Sequence, residues 1–313
     1  MTCIINGELK MSPKTAKSQG GTENMARLFM KYVPPDSYKN FQVHISKVTQ
    51  EIDPTKKQIL WEMDNHCDQD TPVGRFSFDE YVFISDWQRR EFIREHNLPP
   101  EKTSVIETII DFVPDETIQK PTDKINFVYA SVPDRGLDVL YEVFNLLTQK
   151  YDNLHLTVFS SYKLYDWPEV DEYYTGLFDK VKSHKNITYR GFAPDYNEVI
   201  QAKYNSHFFV YPCTWLENSG ISLIESLACG CVCVHTDFHA HPETSEGRSI
   251  SYSIPSTMED HIYACYGITD QLIQRYLSGV IKFPLPFPRV LYKHTPAHLV
   301  EKWTQLFKRL DSQ

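Results

Sequence analysis

Two glutamates stand eight positions apart in the stretch TWLENSGISLIESLACG, residues 214–230: Glu217 in a short polar loop and Glu225 well inside an apolar-patterned helix. Ile221, Ile224, Leu227 and Ala228 form the apolar stripe of that helix, and Glu225 has Ile221 and Cys229 one turn to either side. A carboxylate on that border is costly to bury unless it is hydrogen-bonded or neutralised. Asn218 or Ser219 is placed to cap the helix, and Gly230 to end it. The helix start offers free N–H groups and the positive end of the dipole, a natural anion site, and Gly220 lets a ligand approach the backbone. Hydroxyls for two carboxylates and a phosphate for the helix end describe a nucleotide-sugar. Spacing alone leaves the bland reading open, in which Glu217 is a solvated loop residue and Glu225 a helix-surface glutamate.

The elements that must position these residues follow from periodicity. In the first third, CIIN, FQVHI, QILW, YVFIS and SVIE read as strands, and GTENMARLFMKY and SDWQRREFIREH as helices, the second with Ser85 and Gln88 in capping-box spacing. A polar stretch with two prolines, 111–124, reads as a linker, after which the pattern restarts. INFVYAS, LHLTVFSS, NITYRGF, HFFVYP and CVCVH are strands; helical patterns cover RGLDVLYEVFNLLTQKY, 195–204, 220–229 and the amphipathic 295–310. Strands alternating with helices predict parallel sheets covered on both faces. Two such series predict an α/β fold of two Rossmann-like lobes with a central cleft. The expected boundaries are 1–118 for an N-terminal, acceptor-side lobe and 119–295 for a C-terminal, donor-side lobe, with helix 296–313 packing back on the first. The GxGxxG fingerprint and the P-loop are both absent, which disfavours a dehydrogenase or a P-loop nucleotidase.

Composition sets further bounds. A chain of 313 residues has room for two medium domains, and its net charge of −9 argues against non-specific binding to nucleic acid or anionic membrane. No apolar run reaches the length of a transmembrane segment and no signal pattern opens the chain, so the expected compartment is cytoplasmic. Seven cysteines without framework spacing fit a reducing compartment. Cys229, Cys231 and Cys233 lack the C-x-x-C spacing and the second ligand pair of a zinc site and read as buried small residues. His235, His239, His241 and Glu243 imitate a metal set, but read as a loop after a strand. Neither a metal nor a cofactor is expected.

YPCTWLENSGISLIESLACGCVCVHTD resembles the E-x7-E segment of retaining glycosyltransferases of family 4, enzymes of the two-lobed GT-B fold. Glu217 and Glu225 match the two glutamates, Gly220 the second glycine of the loop, and Ala228 with Gly230 the A-x-G; Asn218 and Ser219 replace the first glycine and an aromatic residue. The resemblance implies that Glu217 holds hydroxyls of the donor sugar and Glu225 the ribose, with backbone amides of Asn218, Ser219, Gly220 and Ile221 facing the sugar and diphosphate. INFVYASVPDRGLDVL resembles the segment that carries two diphosphate-binding cations. Arg135 falls at the lysine position, whereas Ala130 holds the arginine position, so Arg135, helped by Ser131, would carry the leaving-group charge. A cation at a helix start, where the dipole disfavours it, points to an anionic partner. GGTENMARLF resembles the family's G-G-x-E helix start, implying that Gly20 and Gly21 admit the diphosphate while Glu23 serves the helix end. ILWEMDNHCDQD stands where the family places a histidine near the reacting carbon. Strict register puts Met63 there, and Asp64 and His66 are the candidate residues. Asp111 matches the aspartate that ends the first lobe, with Thr108 and Ile109 at the family's Asn-Gly.

By this resemblance the chain is a metal-independent, retaining hexosyltransferase acting from a nucleoside-diphosphate sugar on an acceptor hydroxyl of a glycan or glycoconjugate. GDP-mannose is slightly favoured on family grounds and UDP-glucose comes next. Glu217, Arg135, His66 and Asp64 form the expected catalytic set, and a homodimer is compatible with the sequence. A nucleotide-sugar epimerase of the same fold, a phosphorylase-like enzyme with a pyridoxal lysine, and a non-catalytic nucleotide-sugar binder are the alternatives.

Overall fold

The computed structural model describes residues 2–12, 16–48, 51–115, 117, 119–285 and 291–313. The chain divides into two compact units: Met1–Phe112, Glu217–Ile221 and Leu291–Gln313 form the first, and Val113–Leu216 and Ser222–Val290 the second.

Unit 1 is built on a six-stranded sheet of β1 (Thr2–Ile5), β2 (Glu8–Met11), β3 (Phe41–Ile45), β4 (Lys57–Glu62), β5 (Glu80–Phe83) and β6 (Thr103–Val105) in the order β2-β1-β3-β4-β5-β6. From β3 to β6 the pairing is parallel, and β1 runs antiparallel to both β2 and β3. The hairpin β1–β2 goes beyond the sequence expectation. It turns on Asn6-Gly7, whose φ values of 52° and 76° are those of a primed turn. An Asn-Gly pair between CII and ELKM is a hairpin signal the periodicity reading passed over.

Helix α1 (Gly21–Tyr32) buries Met25, Ala26, Leu28 and Phe29, spaced to put one face on the sheet. Helix α2 (Asp86–His96) starts at Ser85, whose side chain accepts from the Gln88 N–H, and stops at Asn97 in the left-handed conformation. The C-terminal helix (Pro296–Asp311) buries Leu299, Trp303, Leu306, Phe307 and Leu310. Trp303 packs against Phe29 and Trp61 at ring separations of 5.0 and 5.1 Å, so this helix completes the core of unit 1. Full burial of a ring of that size contributes roughly 2–3 kcal/mol.

Unit 2 is a fully parallel sheet of β7 (Ile125–Ala130), β8 (Leu154–Phe159), β9 (Ile187–Tyr189), β10 (Phe208–Tyr211), β11 (Val232–Thr236) and β12 (Ile250–Tyr252), ordered β12-β11-β10-β7-β8-β9. Read from β9, that is the doubly wound order, with the reversal between β7 and β10. Its helices are α3 (Leu137–Thr148), α4 (Thr175–Ser183), α5 (Tyr196–Tyr204), α6 (Ile221–Ala228), α7 (His241–Ser245) and α8 (Met258–Leu277). Strand β12 and helices α4, α7 and α8 lie outside the sequence expectation: α7 is a single short helix where a loop is expected, and α4 and α8 carry many polar positions. The aromatic excursion 161–174 forms two 3-10 turns in which Tyr162 stacks on Tyr174.

Helix α6 ends as its sequence predicts. Gly230, at φ 74°, follows it; the Gly230 N–H bonds to Leu227 O and the Cys231 N–H to Ser226 O, the two bonds of a Schellman motif. Cys229, Cys231 and Cys233 are all buried. No described helix is long and apolar enough to cross a membrane.

Candidate functional site

In a doubly wound sheet the ligand crevice opens at the carboxyl ends of the strands flanking the reversal, here β7 and β10. Ser131 follows β7 directly, with its Oγ 3.3 Å from the Tyr211 hydroxyl at the end of β10. A 3-10 turn, Pro133–Arg135, leads to Gly136 and helix α3. Gly136 has φ 89°, and a Cβ there would lie 2.4 Å from the Pro212 carbonyl oxygen, so only glycine lets the two post-strand loops meet this closely. Arg135 is mostly buried. Its guanidinium pairs with Asp134 at 2.7 Å and lies over the Trp215 ring at 4.2 Å. The cation at this helix start therefore has an anionic partner within the protein. The expectation that such a cation calls for an anion is met by Asp134, which the sequence reading passed over.

Glu225 is 3 % exposed within a helix whose residues from Ser222 to Ala228 are all buried. Its Oε2 accepts from Lys203 Nζ at 2.5 Å, and both of its oxygens lie within 2.7 Å of the Tyr196 hydroxyl. Lys203, fully buried on α5, also donates to Ser222 Oγ at 3.1 Å, and Ser222 Oγ donates to Ala130 O at 2.8 Å. The premise that a bound sugar must complete the hydrogen bonding of Glu225 is thereby corrected: unit 2 supplies a cation and a hydroxyl of its own. The clue lay in EVIQAKYNSHFF, where Val199, Ile200, Lys203 and Tyr204 share the buried face of α5 and put a lysine in an apolar stripe.

Glu217, Asn218, Ser219, Gly220 and Ile221 belong to unit 1. Gly220 has φ 109°, so the backbone itself requires glycine there, independent of any ligand. Asn218 is buried. Its Nδ2 donates to Met63 O at 3.0 Å and to Asp64 O at 2.9 Å, beyond the end of β4. The same dipeptide is held from other sides. Glu62 Oε1 accepts from the Met63 and Asp64 N–H groups, Ser46 Oγ accepts from Met63 N–H, and Gln88 Nε2 donates to Asp64 O. Gln88 thus joins the start of α2 to the end of β4, and its Oε1 accepts from Ile84 N–H.

Asp64, presented by this clamp, is about one-third exposed and 3.5 Å from Lys47 Nζ, which binds Asp68 at 2.6 Å. Burial raises the Asp64 carboxyl above its usual range against the pull of Lys47. Glu62, fully buried, is held well above the usual carboxylate range, first by burial and then by the charge of Asp64. His66 turns toward α2: Nε2 is 3.9 Å from Glu91, the ring meets Trp87 and Phe92 edge-on, and its carbonyl accepts from His96. The structure thus brings Asn218 and Asp64 together and packs His66 against a helix.

At the start of α1, Ser18 Oγ accepts from Gly20 N–H and donates to Glu23. Glu23 serves the helix end through this serine. Gly20 has φ −62°, and a Cβ on Gly21 would meet nothing within 4 Å, so the surrounding protein does not demand glycine at Gly21. Asp111 ends unit 1 paired with Lys31 at 2.8 Å. Among the described residues, His66, Glu91 and Glu95 bring potential ligand atoms within 4.8 Å of one another, but Arg94 already bridges both glutamates. His235 and His241 are buried, with burial holding the imidazole of His241 down to about 3; His235 bonds Ser249 and the Thr236 carbonyl.

Glu62, Lys203, Tyr196, Gln88 and Trp215 are the site neighbours that sequence reasoning missed. Glu62, like Lys203, had a local signal, a carboxylate inside the strand pattern QILWE.

Residues 110–260 match the family described as Glycosyl transferases group 1. Solved structures with a similar fold include a glycosyltransferase from Rickettsia africae, 14 % identical, covering 94 % of this chain and 81 % of that one at a TM-score of 0.62. The pneumococcal O-GlcNAc transferase GtfA, in complex with UDP and GlcNAc, is 13 % identical at a TM-score of 0.60, covering 83 % of this chain and 53 % of its own. Anabaena HepE, in complex with UDP and glucose, is 13 % identical at 0.55, covering 82 % and 72 %. The chain thus spans about half the length of GtfA. No curated protein sequence matches. The fold is the α/β arrangement of two Rossmann-like lobes found in GT-B glycosyltransferases, and over 110–260 the chain is similar to their group 1 family.

Proposed function

We propose that this protein is a glycosyltransferase that moves a hexose from a nucleoside-diphosphate sugar to an acceptor hydroxyl of a glycan or glycoconjugate, with retention and without a metal. The observation that carries the reading is the set Ser131, Arg135 and Trp215 at the ends of β7 and β10, the strands between which the parallel sheet reverses. The match over 110–260 supports it. Breaking the anomeric C–O bond leaves negative charge on the diphosphate and positive charge on the sugar ring. Arg135 and the N–H groups opening α3 and α6 stabilise the former, and Glu217 orients the sugar and favours the latter. A donor phosphate oxygen takes the acceptor proton. Asp64 completes the proposed catalytic set, and Gly20 and Gly21 leave backbone open to the diphosphate. UDP-glucose and UDP-N-acetylglucosamine head the donor panel, because the two similar structures named above with nucleotides hold UDP; GDP-mannose follows. A unit of 1–118 would serve the acceptor and one of 119–295 the donor, in a cytoplasmic protein that is a monomer or homodimer.

A non-catalytic nucleotide-sugar binder is the second reading. It is favoured by the internal pairing of Arg135 with Asp134 and of Glu225 with Lys203. Calorimetric titration with the panel, followed by assay of nucleoside-diphosphate release, separates them. Glu217→Ala is expected to lower transfer by about a hundredfold or more while donor binding partly survives. Wild-type protein that binds a donor and never releases the nucleotide supports the binder, and wild-type protein that binds no donor overturns both.

A further inference from the structure

Asn218 carries an atom that the clamp on Met63–Asp64 does not use. Two backbone carbonyls at 2.9 and 3.0 Å require the Nδ2 donor to face them, which fixes the orientation of the amide. Its Oδ1 is buried and has no hydrogen-bond partner among the described residues. An acceptor left unpaired in the interior is unfavourable by about 1–3 kcal/mol, so the arrangement persists where something outside the chain donates to it. Asn65, on the same loop, also holds a buried Oδ1 without a partner. Amide acceptors without a partner suit a ligand rich in hydroxyl donors, and suit the fully ionised diphosphate of a nucleotide-sugar, which has none, poorly. Glycine, the residue of the resembling motif at this position, has no side chain with which to do this.

We propose that Asn218 is a specificity-determining residue: its Nδ2 holds the loop that presents Asp64, and its Oδ1 accepts a hydroxyl of the transferred sugar. The proposal rests on the glycosyltransferase reading and assigns the sugar, not the nucleotide, to this side chain. The amide stays neutral throughout, and the sugar hydroxyl keeps its proton.

The test compares UDP with UDP-glucose, and GDP with GDP-mannose, by calorimetry on wild type, Asn218→Ala and Asn218→Gly. The gain in affinity that the sugar brings is expected to fall about tenfold in both variants, while affinity for the bare nucleotide is unchanged. A set of monodeoxy UDP-glucoses then identifies the partner. One of them binds wild type about tenfold more weakly than UDP-glucose and shows no such loss with Asn218→Ala. Thermal melting of each variant establishes that unit 1 remains folded. Equal losses for nucleotide and nucleotide-sugar assign Asn218 to loop positioning alone and overturn the proposal, as does an unchanged sugar increment. Wild-type protein that binds none of the probes removes the glycosyltransferase reading itself and the proposal with it. The two failures are therefore distinct.

Discussion

Glu225 and Glu62 are both fully enclosed glutamates next to a proposed ligand site, one in each unit, and they are accommodated in opposite ways. Glu225 has a lysine at 2.5 Å and a tyrosine hydroxyl, so its charge is neutralised within unit 2. Glu62 has backbone N–H groups and a distant threonine hydroxyl at 3.5 Å, and the nearby lysine, Lys47, is taken by Asp68 and Asp64. A paired carboxylate ties two helices together, here α5 and α6. An unpaired one is pushed toward its neutral form, and what it orders is the backbone in front of it. Unit 2 therefore buries its carboxylate as structure, whereas unit 1 uses a carboxyl and two amides to shape an irregular loop that holds a half-exposed aspartate.

The largest test of that contrast is Lys203→Met. Removing one member of a buried pair strands a charge, and unfolding free energy of unit 2 is expected to drop by roughly 3–5 kcal/mol. Adding Glu225→Met recovers at least half of the loss, because a well-packed apolar pair needs no compensation. Urea titrations of the single and double variants check this, and a single variant as stable as wild type would show that Glu225 is not charged.

Glu62→Gln probes the other side. A carboxyl whose pKa is raised in the folded state contributes stability that is fully present below its unfolded value, near 4.5, and lost as pH rises through the folded value. Wild-type stability should fall over that window with a slope approaching about 1.4 kcal/mol per pH unit. The glutamine variant should lack this slope, as read from urea midpoints between pH 4 and 8.

The smallest effect concerns Gly21. Because a Cβ there meets nothing and the residue opens a helix, Gly21→Ala should stabilise unit 1 by about 0.5–1 kcal/mol. If the glycine serves a diphosphate, donor affinity falls in the same variant; melting and calorimetry read the two effects separately.

Local chemistry explains what was legible beforehand. Ten of the strands and six of the helices come from runs whose period and flanking residues decide them without help from elsewhere. Ser85 before α2 and Gly230 after α6 act over three to five residues, so their roles can be read from neighbours alone. Strand β12, Ile-Ser-Tyr set between serines, was not legible because no β-branched or aromatic run marks it. Arg135 and Glu225 could be picked as unusual, but their partners could not be identified in advance.

The amino-acid sequence by itself determined the alternation that builds two parallel-sheet units, the caps that start and stop the helices, and the suspicion attached to Glu217, Glu225 and Arg135. Only the tertiary structure decided which carboxylates are satisfied. Lys203 meets Glu225 across 22 positions and Asn218 meets Met63 across 155. Periodicity orders residues along one element, whereas hydrogen-bond satisfaction depends on what other elements bring within about 3 Å, a distance to which sequence separation is indifferent.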